Sequence, residues 1–265
     1  LKLFVEKGYN VKFIGDNFFR HEPYTTKLQQ MGIEVLYGPY YAGHWQEWIE
    51  ENAEFIQFVF LNRPHISVKY IDFIRRKTNA RIIYYGHDLH FLREIRNYEL
   101  TGDKKALSDS HKWKEKEIKL MHKADVVYYP SEIEVQEIKK IDSQIPAKAI
   151  VAYMFQNVVV ETYHMECRKE IMFIGGFVHT PNIDAVLWFA MEIMPILKEK
   201  IPDIKFYILG SHPTVEIQKL SDDHIIVKGF VTDEELEHYY KTCRISVVPL
   251  RYGAGIKGKV VEAMR

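Results

Sequence analysis

The chain has 265 residues, 47% of them hydrophobic, with 36 basic against 36 acidic side chains and a formal net charge of zero. That length can fill two cores of ordinary domain size, while the balanced charge, with no long basic block and no RNA-stacking motif, excludes a broad nucleic-acid face. Cys167 and Cys243 stand far apart in no CxxC pattern, which excludes a disulfide framework or a zinc site and predicts reduced thiols in a cytoplasmic protein.

In chain order, LKLFVEKG reads as the end of a helix capped by Gly8, its apolar residues too interrupted by Lys2, Glu6 and Lys7 for a signal peptide. An α/β domain opening inside a helix is expected to have lost its first strand. Short β-like runs follow at VKFIG (11–15), IEVLYG (33–38), FIQFVFL (55–61), ARIIYYG (80–86) and ADVVYYP (124–130). Between them lie TTKLQQMG, WQEWIEENA, VKYIDFIRRKTN and a charged segment over 103–123, whose HKWKEKEIKLMHK mixes lysines and glutamates at helical spacing as a solvated face does. This alternation predicts βαβ units and a parallel sheet with ligands at the carboxyl ends of its strands.

After SEIEVQEIKKI and a last strand, KAIVAYM (148–154), the stretch FQNVVVETYHMECRKE (155–170) has no period. The domain boundary is placed there, giving 1–155 and 156–265. The pattern restarts with IMFIGGF (171–177), a helix from Asn182 to about Lys200, IKFYILG (204–210), a short helix near VEIQKL, IIVKGF (225–230), DEELEHYYKTC and ISVVPL (245–250). The longest apolar run, AVLWFAMEIMPIL (185–197), is broken by Glu192 and Pro195 and falls short of the roughly 20 residues of a bilayer span, so it reads as a buried amphipathic helix.

The most informative stretch is PLRYGAGIKGKVVEAM (249–264). A strand end, a turn carrying Gly253, Gly255 and Gly258, and a helix beginning near Ile256 would aim backbone N–H groups and a helix dipole at whatever lies above the strand. Lys257 and Lys259 add full charges, and Glu262 lies one turn past Lys259, able to accept hydrogen bonds from a sugar diol. The spacing also fits an ordinary turn with an i,i+3 surface ion pair.

This stretch resembles the donor-site signature of GT-B glycosyltransferases, in particular glycosyltransferase family 4, whose motif ends in a Glu, a small residue and Met, here Glu262, Ala263 and Met264. The resemblance implies an α/β, GT-B architecture of two Rossmann-like domains with parallel sheets facing a cleft, Glu262 on the nucleotide ribose, and donor contacts from Gly255, Ile256, Lys257 and Lys259. The family often carries an earlier glutamate separated from this one by seven residues, which puts it at position 254; that residue is Ala254, so one contact to the donor sugar is absent.

Gly175 and Gly176 end IMFIGGF, and Thr180 with Pro181 offers an N-cap and first helical residue, a second helix start that is otherwise a plain strand-to-helix turn. Relatives usually carry an Arg and a Lys on the phosphates here; this chain has Phe177, Val178, His179 and Thr180. The phosphate cations are therefore sought in Arg251, Lys257 and Lys259. Gly210 after IKFYILG belongs to the same expected pocket, or is a simple turn glycine.

In YGHDLHF (85–91), His87 and Asp88 resemble the family's His-Asp pair over the donor sugar, an imidazole there being a tunable donor near neutral pH; the alternative is a structural network with His90. Arg63, just past a strand end, reaches the cleft for acceptor or phosphate, or is a surface Arg before a Pro turn. No Asp-x-Asp pattern occurs, which argues against a metal-held diphosphate and for lysines and dipoles in its place.

The implied function is transfer of a sugar from a nucleoside diphosphate sugar, needing neither cofactor nor metal, to a glycan or lipid-linked acceptor. The anomeric configuration would be retained and the pathway would be cell-surface polysaccharide synthesis. His87 and Lys259 are the expected catalytic residues. The chain is expected to be part of a longer polypeptide, cut at both ends, cytoplasmic and associated peripherally with the inner face of the membrane. The alternative is a non-catalytic GT-B-like module that binds nucleotide or glycan within a larger transferase.

Overall fold

The computed structural model describes residues 1–150 and 165–264. The expected boundary at 155, and most of the strand and unpatterned stretch around it, lie outside the described residues. In order the elements are α1 (Lys2–Glu6), β1 (Lys12–Ile14), α2 (Tyr24–Gln30), β2 (Glu34–Leu36), α3 (Pro39–Glu51), β3 (Phe58–Asn62), α4 (Pro64–Lys77), β4 (Arg81–Tyr85), α5 (His90–Thr101), α6 (Lys104–His122), β5 (Val126–Tyr129), α7 (Glu132–Ile141) and β6 (Ala147–Ala149). They continue with β7 (Ile171–Ile174), α8 (Thr180–Trp188), a π-helical stretch (Phe189–Ile193), α9 (Met194–Lys200), β8 (Phe206–Leu209), α10 (Val215–Gln218), β9 (Ile225–Gly229), α11 (Asp233–Thr242), β10 (Ile245–Ser246) and α12 (Gly258–Ala263).

The chain divides into two compact units. The first comprises Leu1–His87, Lys116–Tyr128 and Val135–Lys148; the second comprises Asp88–Glu115, Tyr129–Glu134 and Ala149–Arg265. The first holds a two-stranded parallel sheet, with Lys12 opposite Glu34, and a sheet ordered β3-β4-β5-β6. In β4 the buried Ile82 and Tyr84 alternate with half-buried Ile83 and Tyr85, the period-2 pattern of a strand packed more tightly on one face. On α4, Ile71 and Ile74 are the buried i,i+3 pair that seats this helix.

The second unit is built on a sheet ordered β10-β7-β8-β9, parallel throughout. Alternation assigns its two faces. Ile171, Phe173, Phe206 and Ile208 join Val186, Phe189 and Met194 of the α8–α9 layer in one core, while Met172, Leu209 and Cys243 form the other with α11's Tyr239. A strand buried on both sides reads as continuous apolar sequence, as IMFI and FYIL do. Truncating Phe173 or Phe206 to Ala would cost about 3–5 kcal/mol.

Three sequence expectations are corrected. The helix expected from Asn182 starts at Thr180 with His179 rather than Thr180 as N-cap, and no side-chain cap bond forms. It reaches Lys200 only by passing through the π segment, which loosens the ladder just before Pro195, a residue that cannot donate to it. The strand expected over 245–250 is paired only at Ile245–Ser246: Val247 N–H still reaches Met172 O at 2.8 Å, and a tight turn from Leu250 N to Val248 O then ends the strand.

Candidate functional site

In the second unit the carboxyl ends of β7, β8 and β9 are drawn together by their backbones. Gly175 N donates to Leu209 O at 3.0 Å and Gly210 N to Gly229 O at 2.7 Å. Gly210 has φ +143°, and a Cβ on it would lie 2.1 Å from Gly175 O; no other residue fits there. Gly210 is thus required by close packing of main chain on main chain. Gly176 is exposed, and its carbonyl accepts Asn182 Nδ2 at 2.8 Å.

Above Gly175 sits Lys259. Its Nζ donates to Asn182 Oδ1 at 2.9 Å, lies 4.0 Å from the centre of the Phe173 ring and comes within 2.7 Å of where a Gly175 Cβ would be. Burial, and then the charge of Lys257, push the Lys259 pKa down to about 8. Lys257 folds back on its own turn, donating to Ala254 O at 2.6 Å and Gly255 O at 3.3 Å; burial lowers its pKa, against the pull of Glu134 and Asp88. Ile256 is half-buried between these residues. The helix expected from about Ile256 starts at Gly258 and has six residues.

Glu262 is exposed, its Oε2 accepting only a long bond from the Tyr240 hydroxyl at 3.3 Å. Arg251 is bound through Nε and Nη2 to both carboxylate oxygens of Asp184, the Nε bond being 2.9 Å. This planar fork match raises its pKa and leaves its charge already partnered.

Sequence reasoning missed four groups. Arg96 of α5 donates from Nη1 to Gly253 O at 2.7 Å, and Arg93 donates from Nη1 to Asp88 Oδ2 at 2.6 Å. His179 lies near enough to Arg93, Asp88, Lys257 and Lys259 for their charges to act on it. Glu134, 2% exposed, accepts at Oε1 from Leu89 N at 2.8 Å and Gly255 N at 3.0 Å. The FLREIRN run, which sets Arg93 and Arg96 three apart just after HDLH, was the available signal. Glu134 had none beyond following a strand end.

Of the remaining candidates, Asp88 is anchored by Arg93 within the same unit. His87 and Arg63 belong to the first unit, at the carboxyl ends of the adjacent strands β4 and β3. His87 is exposed, its ring edge-on to Tyr85 at 4.9 Å. Arg63 is exposed and holds φ +63°, an uncommon backbone state for a residue with a side chain and one concentrated at functional positions. Among the described residues no three His, Cys, Asp or Glu side chains gather as a metal-holding group. No described helix is long and apolar enough to cross a membrane.

A unit that brings Lys257, Lys259, Arg93, Arg96 and His179 near one another beside the glycine turn, with an exposed carboxylate at Glu262, can neutralise a multiply charged anion that carries a diol. Comparison with known proteins gives the fold. TarM aligns over 83% of this chain and 41% of its own, with TM-score 0.61 and 19% identity. A trehalose-phosphate synthase from Burkholderia xenovorans aligns over 86% of this chain and 61% of its own, with TM-score 0.53 and 10% identity. The fold is the α/β GT-B architecture of these glycosyltransferases.

Residues 168–265 match the family model described as Glycosyl transferases group 1. An uncharacterized 44.6 kDa protein in the cps region of Klebsiella pneumoniae is 28% identical over 102 residues, which are 36% of this chain and 26% of that protein. The chain thus spans about a quarter of that relative and about two fifths of TarM.

Proposed function

We propose that the chain carries the donor site of a glycosyltransferase, which moves a sugar from a nucleoside diphosphate sugar to a glycan or lipid-linked acceptor without a metal. The observation that carries this reading is the cation cluster of Lys257, Lys259, Arg93 and Arg96 around the 253–259 turn. The turn itself lies within the segment that matches the glycosyltransferase model.

In the proposed chemistry the bond between the anomeric carbon and the β-phosphate oxygen breaks as the acceptor oxygen bonds to that carbon. The departing diphosphate takes up the negative charge and accepts the acceptor's proton. Lys259 and Lys257 stabilise that charge, Glu262 holds the ribose, and His87 with Asp88 addresses the sugar. Attack on the face the leaving group vacates retains configuration. A point mutant of S. aureus TarM crystallised with UDP, fondaparinux and α-GlcNAc-glycerol, and a relative lies in a cps region. Both favour a polysaccharide or glycan acceptor, and the chemistry is proposed to be cytoplasmic, at the inner membrane face.

The test is thermal stability against UDP, GDP, TDP, ADP and CMP, with and without EDTA. One nucleoside diphosphate at a hundred times its Kd should add about 2.7 kcal/mol; no stabilisation by any would remove the donor-site reading, and loss with EDTA would remove metal independence. A second reading, a binding module without turnover, is favoured by one observation: Arg251, Lys257 and the Gly255 amide are all engaged by protein partners. Sugar transfer by the full-length protein that stops on Lys259→Ala would eliminate it.

A further inference from the structure

Glu134 is a buried carboxyl that the proposed chemistry does not use. It sits in the first turn of α7, and its Oε1 accepts two main-chain amides far apart in sequence. One is Leu89, directly before α5, in the segment that holds Asp88. The other is Gly255, at the centre of the glycine turn, where φ is +73°. Its Oε2 is buried and has no hydrogen-bond partner. A buried carboxylate with an idle oxygen is costly, and only a specific requirement on the other oxygen offsets that cost.

We propose that Glu134 is a positioning residue for the donor turn: by gathering the amides of Leu89 and Gly255 on one oxygen, it fixes residues 253–257 against the start of α5, and the strength of nucleotide binding depends on it. The Gly255 amide is consequently a structural donor to Glu134, and the phosphate charge falls to side chains. Arg96, bonded to Gly253 O, pins the same turn from α5 at a second point. Glu134 thus acts through the turn and touches no substrate.

The charged groups facing Glu134 are the Asp88 carboxylate, itself held by Arg93, and the Lys257 ammonium, near which Arg96 also lies. Burial above all, then Asp88, pushes the Glu134 pKa up to about 7, against the Leu89 and Gly255 amides and Lys257, which favour the anion. Ionisation near neutrality should therefore strengthen the clasp on Gly255, because a carboxylate accepts from an amide more strongly than a neutral acid does.

The inference rests on the donor-site reading for its binding consequence and stands apart from it for its structural one, so two measurements separate them. In the ligand-free chain labelled with 15N-glycine, the Gly255 amide resonance should titrate with a midpoint near pH 7, and it should be flat in Glu134→Gln. A Gly255 resonance that does not move with pH in the wild type, or that titrates unchanged in Glu134→Gln, overturns the proposal. For UDP, GDP, TDP and ADP, Glu134→Ala should weaken whichever binds by about tenfold, while Glu134→Gln, which keeps an acceptor at Oε1, stays within about threefold, since losing one charge-assisted acceptor is worth on the order of 1.4 kcal/mol or more. Equal affinity in wild type and Glu134→Ala also overturns it. Should Glu134→Ala not fold, the Glu134→Gln amide titration decides alone. Absence of any nucleotide binding by the wild type, with the Gly255 titration intact, would sink the donor-site reading and leave the clasp standing.

Discussion

Lys259 and Asn182 are joined by a 2.9 Å bond from Nζ to Oδ1, and the other end of the same amide donates to Gly176 O at 2.8 Å. A lysine from the last helix is therefore aimed by a buried asparagine on α8, with the Phe173 ring beneath its charge. Asn182 is 6% exposed and cannot swing away. Such preorganisation stabilises a developing charge without reorganisation at the moment of reaction.

Lys259→Ala is expected to lower kcat/KM for sugar transfer by about a hundredfold, the scale of removing one preorganised donor to an oxyanion. Steady-state kinetics on the full-length protein check this. Asn182→Ala should lower it less, because it loosens the ammonium without removing it.

Nucleotide affinity should decline as pH rises through about 8, where the ligand-free protein loses the Lys259 proton. On the proposed reading the diphosphate would bind the protonated form, so the loss should fall on the alkaline side and disappear in Lys259→Arg. Isothermal titration between pH 6.5 and 9.5 would show it, and a flat profile in the wild type would separate Lys259 from the phosphates.

Glu134 gives a stability prediction of the opposite sense. Its folded pKa, about 7, lies above the ordinary 4.5, so the native state binds the extra proton between those values. Its contribution is present below about pH 4.5 and lost as pH rises through 7. Relative to wild type, Glu134→Gln should gain in thermal midpoint from pH 5 to pH 8.

Glu262→Ala should leave the unfolding midpoint unchanged, since the exposed carboxylate has one long bond to Tyr240. Nucleoside diphosphate binding should fall by about tenfold, one good hydrogen-bonded contact, while inorganic pyrophosphate binds as before. Equal loss for both ligands would place Glu262 on the phosphates rather than on the ribose.

Gly210→Ala would drive a methyl to 2.1 Å from Gly175 O at φ +143°. A destabilisation of about 3 kcal/mol or more is expected, read in the denaturant midpoint of the second unit.

The alternation of β-branched runs with charged helical segments was legible because burying a parallel sheet on both faces demands it; IKFYILG and ARIIYYG became strands within two residues of their expected bounds, and IMFIGGF became one that stops three residues early, at Ile174. The Gly175, Gly210 and Gly255 turns were legible as turns. Their reasons were not, since Gly210 is dictated by Gly175 and Gly255 is clasped by Glu134, and both partners are remote in sequence. Arg251 was expected among the phosphate cations and instead pairs with Asp184, a partner 67 residues earlier that no local pattern points to. Arg93 and Arg96 escaped because a helical i,i+3 pair of arginines looks the same whether it faces water or an anion.

The pinched ends of β7 and β8 also limit how this protein can diversify. Where Gly175 and Gly210 meet, the surface is main chain, and neither position can accept even a methyl group without displacing a neighbour. Side-chain variation is therefore sterically closed at these two strand ends, and any change of surface chemistry beside them has to come from neighbouring positions such as those of the 251–257 turn.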